Sequence, residues 1–286
     1  MTSQLLLCTD MDRTVIPNGV QSEHKLARQR FSEFCDSIDV TLAYVTGRHL
    51  GLACDAIKHY GLPTPDYIVS DVGTKIYKRN GDSYAELNEW CDEIDFDWNG
   101  NTSDDLKRIL SGFSQLNLQE ALKQNRHKLS YYVSLHTDID KLLLQMDKCL
   151  TTAGISASLI WSIDEPKDIG LLDVLPKNAT KLHAVEFLYQ MLGFELEEVV
   201  FAGDSGNDLP VMGSSVPSVL VANAAHDVRE RAKQLAKENN LLHTLYLANG
   251  KNSDMNGNYT AGVLEGVGFF VPHARKHLQK FGFVYD

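Results

Sequence analysis

Leu5-Leu6-Leu7-Cys8-Thr9-Asp10-Met11-Asp12-Arg13-Thr14 is the stretch that decides the fold. It begins as a short apolar run, which is typical of a fully buried strand in a parallel sheet. The run ends in two aspartates separated by a single residue. Because open α/β sheets bind ligands beyond the carboxyl ends of their strands, this carboxylate pair is a candidate site. A lone Asp-x-Asp is weak evidence, since short motifs match by chance and an aspartate there can simply cap a helix.

Three further stretches place polar residues near the end of an apolar run in the same way. They are Val40 to Val45 followed by Thr46-Gly47-Arg48, Leu171 to Leu175 followed by Lys181, and Val199 to Ala202 followed by Gly203-Asp204-Ser205-Gly206-Asn207-Asp208. In content and order, the four motifs resemble those of the haloacid dehalogenase-like phosphatases. Gly203 to Gly206 alone would also fit a trypsin-like serine protease. The α/β pattern and the few, widely spaced cysteines disfavour that class.

Composition narrows the classes of partner. The 286 residues carry a net charge of −11, which disfavours nucleic acid as a partner because nucleic-acid footprints are basic. A phosphorylated substrate remains compatible, since the local field of a site can differ from the overall charge. No apolar stretch reaches membrane-spanning length, and five scattered cysteines indicate reduced thiols. We therefore expect a cytoplasmic protein without a membrane partner.

The alternation of strand and helix patterns changes in the middle of the chain. Residues 1–80 and 171–286 read as a Rossmann-like α/β core with a parallel sheet. Residues 81–170 read as an inserted α+β unit with an acidic, aromatic start from Tyr84 to Trp98. The sequence therefore predicts one catalytic core interrupted by a cap domain.

A closer resemblance, to the sucrose-phosphate phosphatases, covers most of the chain. It is carried by Leu42 to Arg48, Pro65 to Ile68, Val72 to Tyr77, Lys128 to Tyr132, Asp173 to Pro176, Val221 to Ala224 and Gly262 to Gly266. The resemblance implies a C2-type cap that sets substrate specificity, bound Mg²⁺ and hydrolysis of sucrose 6-phosphate. Other sugar phosphates stay open as substrates, namely a hexose monophosphate, mannosylfructose phosphate or another glycoside phosphate. A non-catalytic sugar-phosphate-binding domain, and a sugar-phosphate synthase as partner, are further possibilities.

Phosphate-ester hydrolysis needs a nucleophile, a proton donor and neutralisation of charge on the phosphoryl oxygens. The motifs assign the nucleophile to Asp10 and the general acid and base to Asp12. Asp10, the backbone carbonyl of Asp12 and Asp204 would supply ligands to magnesium, which prefers oxygen. Asp208 would orient the waters or side chains that bind the metal, or it would cap the following helix. The two roles are compatible.

The remaining candidates would bind substrate. Thr46, the Gly47 N–H group, Asn207 and Lys181 would hold the phosphoryl group, with Lys181 also counted as catalytic. Arg48 would contact phosphate or pair with a carboxylate of the core. Sugar contacts are expected from Lys128, Tyr131 and Asp168, and from some of the carboxylates between Glu86 and Asp97. Arg13 departs from the family pattern, which has Gly or Asn after the second aspartate.

Overall fold

The computed structural model describes residues 4–37, 39–164, 167–251 and 253–285. The chain divides into two compact units, Met1–Glu86 with Lys181–Asp286, and Leu87–Thr180. We call them the first and the second unit.

Twelve strands and ten α-helices lie in the described residues. The strands are β1 Leu5–Thr9, β2 Val40–Val45, β3 Tyr67–Ser70, β4 Lys75–Asn80, β5 Ser83–Glu86, β6 Asn117–Leu118, β7 Leu129–Val133, β8 Ala157–Asp164, β9 Ile169–Pro176, β10 Val199–Gly203, β11 Ser218–Leu220 and β12 Leu245–Leu247. The helices are α1 Ala27–Ser37, α2 Leu50–Tyr60, α3 Asn88–Trp98, α4 Ser103–Ile109, α5 Ile139–Thr152, α6 Lys181–Leu192, α7 Leu209–Met212, α8 His226–Glu238, α9 Thr260–Phe270 and α10 Arg275–Gln279.

The first unit is built on an eight-stranded sheet in the order β12-β11-β10-β1-β2-β3-β4-β5. The six strands from β12 to β3 run parallel, and β4 and β5 add an antiparallel edge. Every residue of the neighbouring strands β1 and β10 is buried. Such all-apolar strands need cover on both faces, which is the usual situation of a parallel sheet. The parallel sheet predicted from the sequence is confirmed.

The main apolar core lies on one face of this sheet. It joins side chains of β1, β2 and β10 to buried residues of α1, α2 and α9. Helix α1 contributes Ala27, Phe31 and Phe34, a spacing of four and three residues that places all three on one helical face. Helix α2 ends at Gly61, whose φ of 61° gives the left-handed cap that glycine adopts without steric cost.

The second unit is a four-stranded antiparallel sheet in the order β6-β7-β9-β8, with helices α3, α4 and α5. Its own core includes Trp98, Leu106, Leu142 and Met146 from the helices and alternate residues of β7 and β9. Residues 171–175, expected to lie in the catalytic core, belong to β9 and pair with β7 and β8. The border between the units therefore falls between Thr180 and Lys181 rather than after residue 170.

None of the helices in the described ranges combines the length and apolar character needed to cross a membrane.

Candidate active site

The predicted core motifs meet where three parallel strands end. In the sheet register, Thr9 of β1 lies beside Ala202 of β10 and Tyr44 of β2. The backbone N–H of Asp10 continues the ladder with a 2.8 Å hydrogen bond to the carbonyl of Ala202. The residues that follow each strand therefore converge at one edge of the sheet. Asp10, Asp12, Gly47, Arg48, Asp204 and Asn207 line a cleft of about 420 Å³ there, together with Arg13, Leu52 and Ser205.

Lys181, the first residue of α6, is held between two buried aspartates. Its Nζ atom lies 2.8 Å from Oδ1 of Asp10 and 2.7 Å from Oδ1 of Asp208, and it donates to Oδ1 of Asn207 at 3.1 Å. The lysine side chain is 2% exposed. Burial opposes its charge, but the two carboxylates outweigh burial and raise the pKa of Lys181. The ammonium is therefore a fixed positive charge beside Asp10.

Asp208 organises the loop that follows β10. Its Oδ2 accepts hydrogen bonds from the backbone N–H groups of Asp204 and Ser205, at 3.1 and 3.0 Å. The Ser205 hydroxyl also donates to this oxygen, at 3.1 Å. A Cβ atom on Gly203 would come within 2.5 Å of the Asp208 carboxylate, so the close approach requires glycine. The N-cap expected from Asp208 on the following helix α7 is absent, because its side chain makes no capping hydrogen bond there. The carboxylate instead reaches back to Ser205, as the last residue of the short 3-10 turn Gly206–Asp208, and contacts Lys181.

Three carboxylates at this edge suit a divalent cation. Asp10, Asp204 and Asp208 each offer an oxygen within 4.8 Å of the others, and all three are buried. Burial, followed by the charge of Asp208, raises the pKa of Asp204 to about 6. Burial also raises the pKa of Asp10 to about 7, although Lys181 counteracts it. A cluster of desolvated carboxylate oxygens whose charges repel one another matches the ligand preference of Mg²⁺ or Ca²⁺.

Arg48 forms a two-pronged ion pair with Asp12. Nε and Nη2 of Arg48 lie 2.8 and 2.6 Å from the two carboxylate oxygens. Asn18 donates a further hydrogen bond of 2.7 Å to Asp12. Partial burial opposes ionisation, but the hydrogen bonds and charge of Arg48 outweigh it and lower the pKa of Asp12. Of the two roles open for Arg48, this structure displays the carboxylate pair.

Thr46 and Gly47 occupy the turn after β2. The Thr46 side chain is buried, and its Oγ1 accepts a hydrogen bond of 3.2 Å from the backbone N–H of Arg48. The Thr46 carbonyl accepts from the N–H of Val72. Val72 has a φ of 63°, which is unusual for a β-branched residue, and its side chain lies 4.0 Å from the position that a Cβ on Gly47 would occupy. No sequence pattern indicates this left-handed residue next to the cleft.

Comparison with known proteins decides the family. Residues 3–271 match the model of the sucrose-6F-phosphate phosphohydrolase family. The chain belongs to this family. It is therefore a haloacid dehalogenase-like phosphatase, a phosphoric monoester hydrolase, and the family predicted from the sequence is confirmed.

Relatives in this family share most of the chain. A haloacid dehalogenase-like hydrolase of Nitrosococcus oceani is 44% identical over 280 residues, which cover 98% of this chain and 75% of the relative. A mannosylfructose-phosphate phosphatase of Agrobacterium fabrum is 28% identical over 270 residues, covering 92% and 95%. The structure of the sucrose-phosphatase from Synechocystis sp. PCC6803 in complex with sucrose and phosphate matches with a TM-score of 0.70 and 28% identity, covering 94% and 98%. The predicted fold class, a core with a cap, is confirmed.

The family's expected sugar contacts lie in the second unit and differ in exposure. Tyr131 is 5% exposed and packs in the apolar core of that unit, where burial raises its pKa to about 12. This placement suits packing rather than a sugar contact. Lys128 is largely buried, with Nζ 3.8 Å from Oδ2 of Asp173. Asp168 is exposed and has a φ of 50°. Strand alternation puts Tyr132, instead of Tyr131, on the face shared with Ser130 and Asp173.

The loop that follows β1 is supported by a set of residues that no sequence pattern indicates. Arg13 has a φ of 58°, its N–H donates to Oδ1 of Asn18 and its carbonyl accepts from the side chain of Asn223. Asn223 in turn accepts from the backbone N–H of Tyr259 at 2.7 Å. Asn223 lies in a quoted family stretch, but neither it nor Tyr259 has a pattern that indicates contact with the first motif. Only the folded chain brings residues 13, 223 and 259 together.

Proposed function

We propose that this phosphatase hydrolyses a phosphorylated disaccharide, sucrose 6-phosphate, through a phosphoaspartate at Asp10. The observation that carries the proposal is the buried carboxylate of Asp10 at the end of β1, paired with Lys181 and facing a cleft. A binding domain without catalysis would not need an intact nucleophile and acid in one cleft with a buried lysine against the nucleophile. We therefore favour the enzyme over the non-catalytic alternative.

The first chemical step would belong to Asp10 and Asp12. A carboxylate oxygen of Asp10 would form a bond to phosphorus while the bond from phosphorus to the sugar oxygen breaks. The carboxyl of Asp12 would give its proton to the departing alkoxide. In the second step Asp12 would remove a proton from water, which attacks phosphorus and releases Asp10 and inorganic phosphate. Because Arg48 lowers the pKa of Asp12, this acid role requires the ion pair to loosen when substrate binds.

The phosphoryl oxygens would be held by cations and hydrogen-bond donors around Asp10. We assign this role to Lys181, the hydroxyl of Thr46, the N–H of Gly47 and the amide of Asn207. The Lys181 ammonium would offset charge that builds up on these oxygens in the transition state. Arg48 would join them once it leaves Asp12.

The donor set fits Mg²⁺, which we propose as the resident cation. Asp10, Asp204 and the backbone carbonyl of Asp12 would hold it, and Asp208 would orient waters or the other ligands. When bound, the cation would neutralise phosphoryl charge and help to orient the substrate. The close spacing of the three carboxylate oxygens supports this assignment.

Mannosylfructose phosphate is the second candidate substrate, because a mannosylfructose-phosphate phosphatase matches this chain nearly end to end. We assign the choice between sugars to the second unit, with Lys128, Asp168 and Tyr132 as candidate contacts. Lys128→Met is expected to raise KM for the preferred sugar phosphate while leaving turnover of p-nitrophenyl phosphate unchanged. A similar loss of activity on both substrates would contradict the assignment of Lys128 to the sugar site.

A phosphate-release assay with added Mg²⁺ tests the assignment. Sucrose 6-phosphate should be compared with mannosylfructose phosphate, trehalose 6-phosphate, glucose 6-phosphate and fructose 6-phosphate. A site built for a disaccharide leaves polar groups unpaired around a monosaccharide, so we expect a preference in kcat/KM of about a hundredfold or more. Equal efficiency on a hexose monophosphate would refute the disaccharide assignment and leave the phosphatase chemistry intact.

We propose a sugar-phosphate synthase as the source of this substrate and as a partner. Co-purification of the chain with such a synthase from cells would test the partnership. The two purified proteins should also associate when mixed, and high salt should dissociate them. Absence of any complex would limit their relation to exchange of the metabolite through solution.

A further inference from the structure

Arg13 occupies a strained position in the loop that follows β1 and carries Asp10 and Asp12. Its φ of 58° lies in the left-handed region, which costs little for glycine or asparagine and more for arginine. Two amide side chains hold its backbone there: Asn18 accepts from its N–H at 2.8 Å, and Asn223 donates to its carbonyl at 2.6 Å. Asn223 is 1% exposed, so this support is rigid. A strained residue that is held so firmly points to a role for its side chain.

The Arg13 side chain reaches a carboxylate of the candidate cation site. Its Nε lies 3.2 Å from Oδ2 of Asp204, and Nη2 donates to the carbonyl of Asn223 at 3.3 Å. The other two carboxylates of the site, Asp10 and Asp208, share the ammonium of Lys181. Thr14 adds only a long hydrogen bond of 3.4 Å to Asp204. Arg13 thus forms an ion pair with Asp204, and at 42% side-chain exposure it also borders the open cleft.

We propose that Arg13 is a positioning residue that acts as the counter-cation of Asp204 and competes with the divalent cation for it. The inference rests on the proposed metal site. A divalent cation held by Asp10 and Asp204 would lie close to the guanidinium, and like charges at this range repel each other. Binding of the cation therefore displaces the guanidinium from Asp204 into the cleft. Arg13 weakens metal affinity and keeps the empty site electrostatically balanced.

Three variants separate the charge of Arg13 from its backbone role. Arg13→Gln removes the charge and keeps an unbranched side chain and the left-handed strain, whereas Arg13→Lys keeps the charge. Arg13→Asn serves as a second neutral variant, because asparagine tolerates the left-handed region and should fold readily. Circular dichroism and a thermal melt establish that each metal-free variant is folded.

The test is isothermal titration of Mg²⁺ into each metal-free full-length protein at low ionic strength. We expect Arg13→Gln and Arg13→Asn to bind Mg²⁺ about tenfold more tightly than wild type, and Arg13→Lys to stay near wild type. The difference in Mg²⁺ affinity between the neutral variants and wild type should shrink as the salt concentration is raised, because salt screens exposed charges.

If Arg13 merely supported the loop, its loss would misplace Asp204 and weaken Mg²⁺ binding, which is the opposite of the tighter binding expected here. Unchanged or weaker binding by folded Arg13→Gln and Arg13→Asn would therefore overturn the competition and leave the metal site in place. No Mg²⁺ uptake by the wild type would instead overturn the metal site and this inference together.

Discussion

Nζ of Lys181 lies 2.8 Å from Oδ1 of Asp10, although the two residues are 171 positions apart in the chain. Lys181 begins the segment that returns to the first unit after the second unit has been completed. The contact therefore joins the start of α6 to the end of β1 within the first unit. It places a buried cation on the carboxylate that we assign as nucleophile.

Removing this cation should damage both stability and turnover. Lys181→Met leaves Asp10 and Asp208 buried beside each other without their ammonium, and breaking a buried ion pair costs about 3 to 5 kcal/mol. We expect a lower free energy of unfolding in urea and a loss of phosphatase activity. Lys177→Met, at an exposed lysine four positions earlier, is the matched control and should resemble wild type in both measurements. A Lys181→Met protein with wild-type stability and rate would contradict the contact's importance.

The ion pair between Arg48 and Asp12 makes a prediction about proton binding. Arg48→Gln removes the hydrogen bonds and the charge that lower the pKa of Asp12, so this pKa should rise. Titration of the carboxyl carbon by NMR measures it directly. Arg79→Gln, which removes the exposed pair with Asp66, is the control and should leave the pKa of Asp12 unchanged. A pKa of Asp12 that does not move in Arg48→Gln would exclude the pair in solution.

The same pair sets the sign of a pH effect on stability. A carboxyl whose pKa is lowered by folding stabilises the protein above its unfolded value of about 3.9, and this contribution disappears as pH falls through the folded-state pKa. Wild type should therefore be more stable than Arg48→Gln near neutral pH, and the two should converge on acidification. The difference should be small, because the Asp12 side chain is 40% exposed and solvent screens it.

Two glycines of one motif should respond differently to alanine. A Cβ on Gly203 would lie 2.5 Å from the Asp208 carboxylate, whereas a Cβ on Gly206 has no atom within 4 Å. Gly203→Ala should lower the free energy of unfolding by about 1 to 3 kcal/mol, as overpacking of a tight site does, and displace Asp208. Gly206→Ala should unfold at nearly the wild-type urea concentration. Equal midpoints for the two variants would contradict the tight packing of Asp208 on β10.

Metal removal tests the carboxylate cluster. Chelation with EDTA should abolish phosphate release, and Mg²⁺ should restore it. Ca²⁺ should restore it poorly, because its longer bonds and looser coordination misplace the nucleophile. Full activity after exhaustive chelation and gel filtration would show that Asp10, Asp204 and Asp208 work without a cation.

Much of the core could be read from the sequence because its strands are apolar throughout. The run before Asp10 and the run before Asp204 can only be buried on both faces, and parallel pairing then brings their ends together. The family motifs identified Lys181, but a single lysine in a sequence does not indicate which carboxylates it will contact. The ion pair of Arg48 with Asp12 depends on side-chain geometry. The sequence alone left both roles of Arg48 open, a contact to phosphate and a pair with a carboxylate.

The errors have identifiable causes. The apolar run from 171 to 175 predicts a strand of the core, yet it contains Asp173 in its middle, and the strand alternates between buried and partly exposed residues. That pattern is typical of an antiparallel sheet with one covered face, so it could have indicated the second unit. The family stretch around Tyr131 does not indicate which face of β7 each residue occupies, and one step along the strand reverses that face. The support of Arg13 by Asn223 joins residues 210 positions apart and leaves no local trace.

The most direct test of the account is the rate of phosphate release from sucrose 6-phosphate by wild type and by Asp10→Asn, with Mg²⁺ present. An amide cannot replace the carboxylate as nucleophile, so the variant should lose at least about a thousandfold in kcat while keeping the wild-type circular dichroism spectrum. Asp147→Asn, on the exposed side of α5, controls for the loss of a single negative charge. An Asp10→Asn protein that releases phosphate at the wild-type rate would contradict the assignment of Asp10 as the nucleophile.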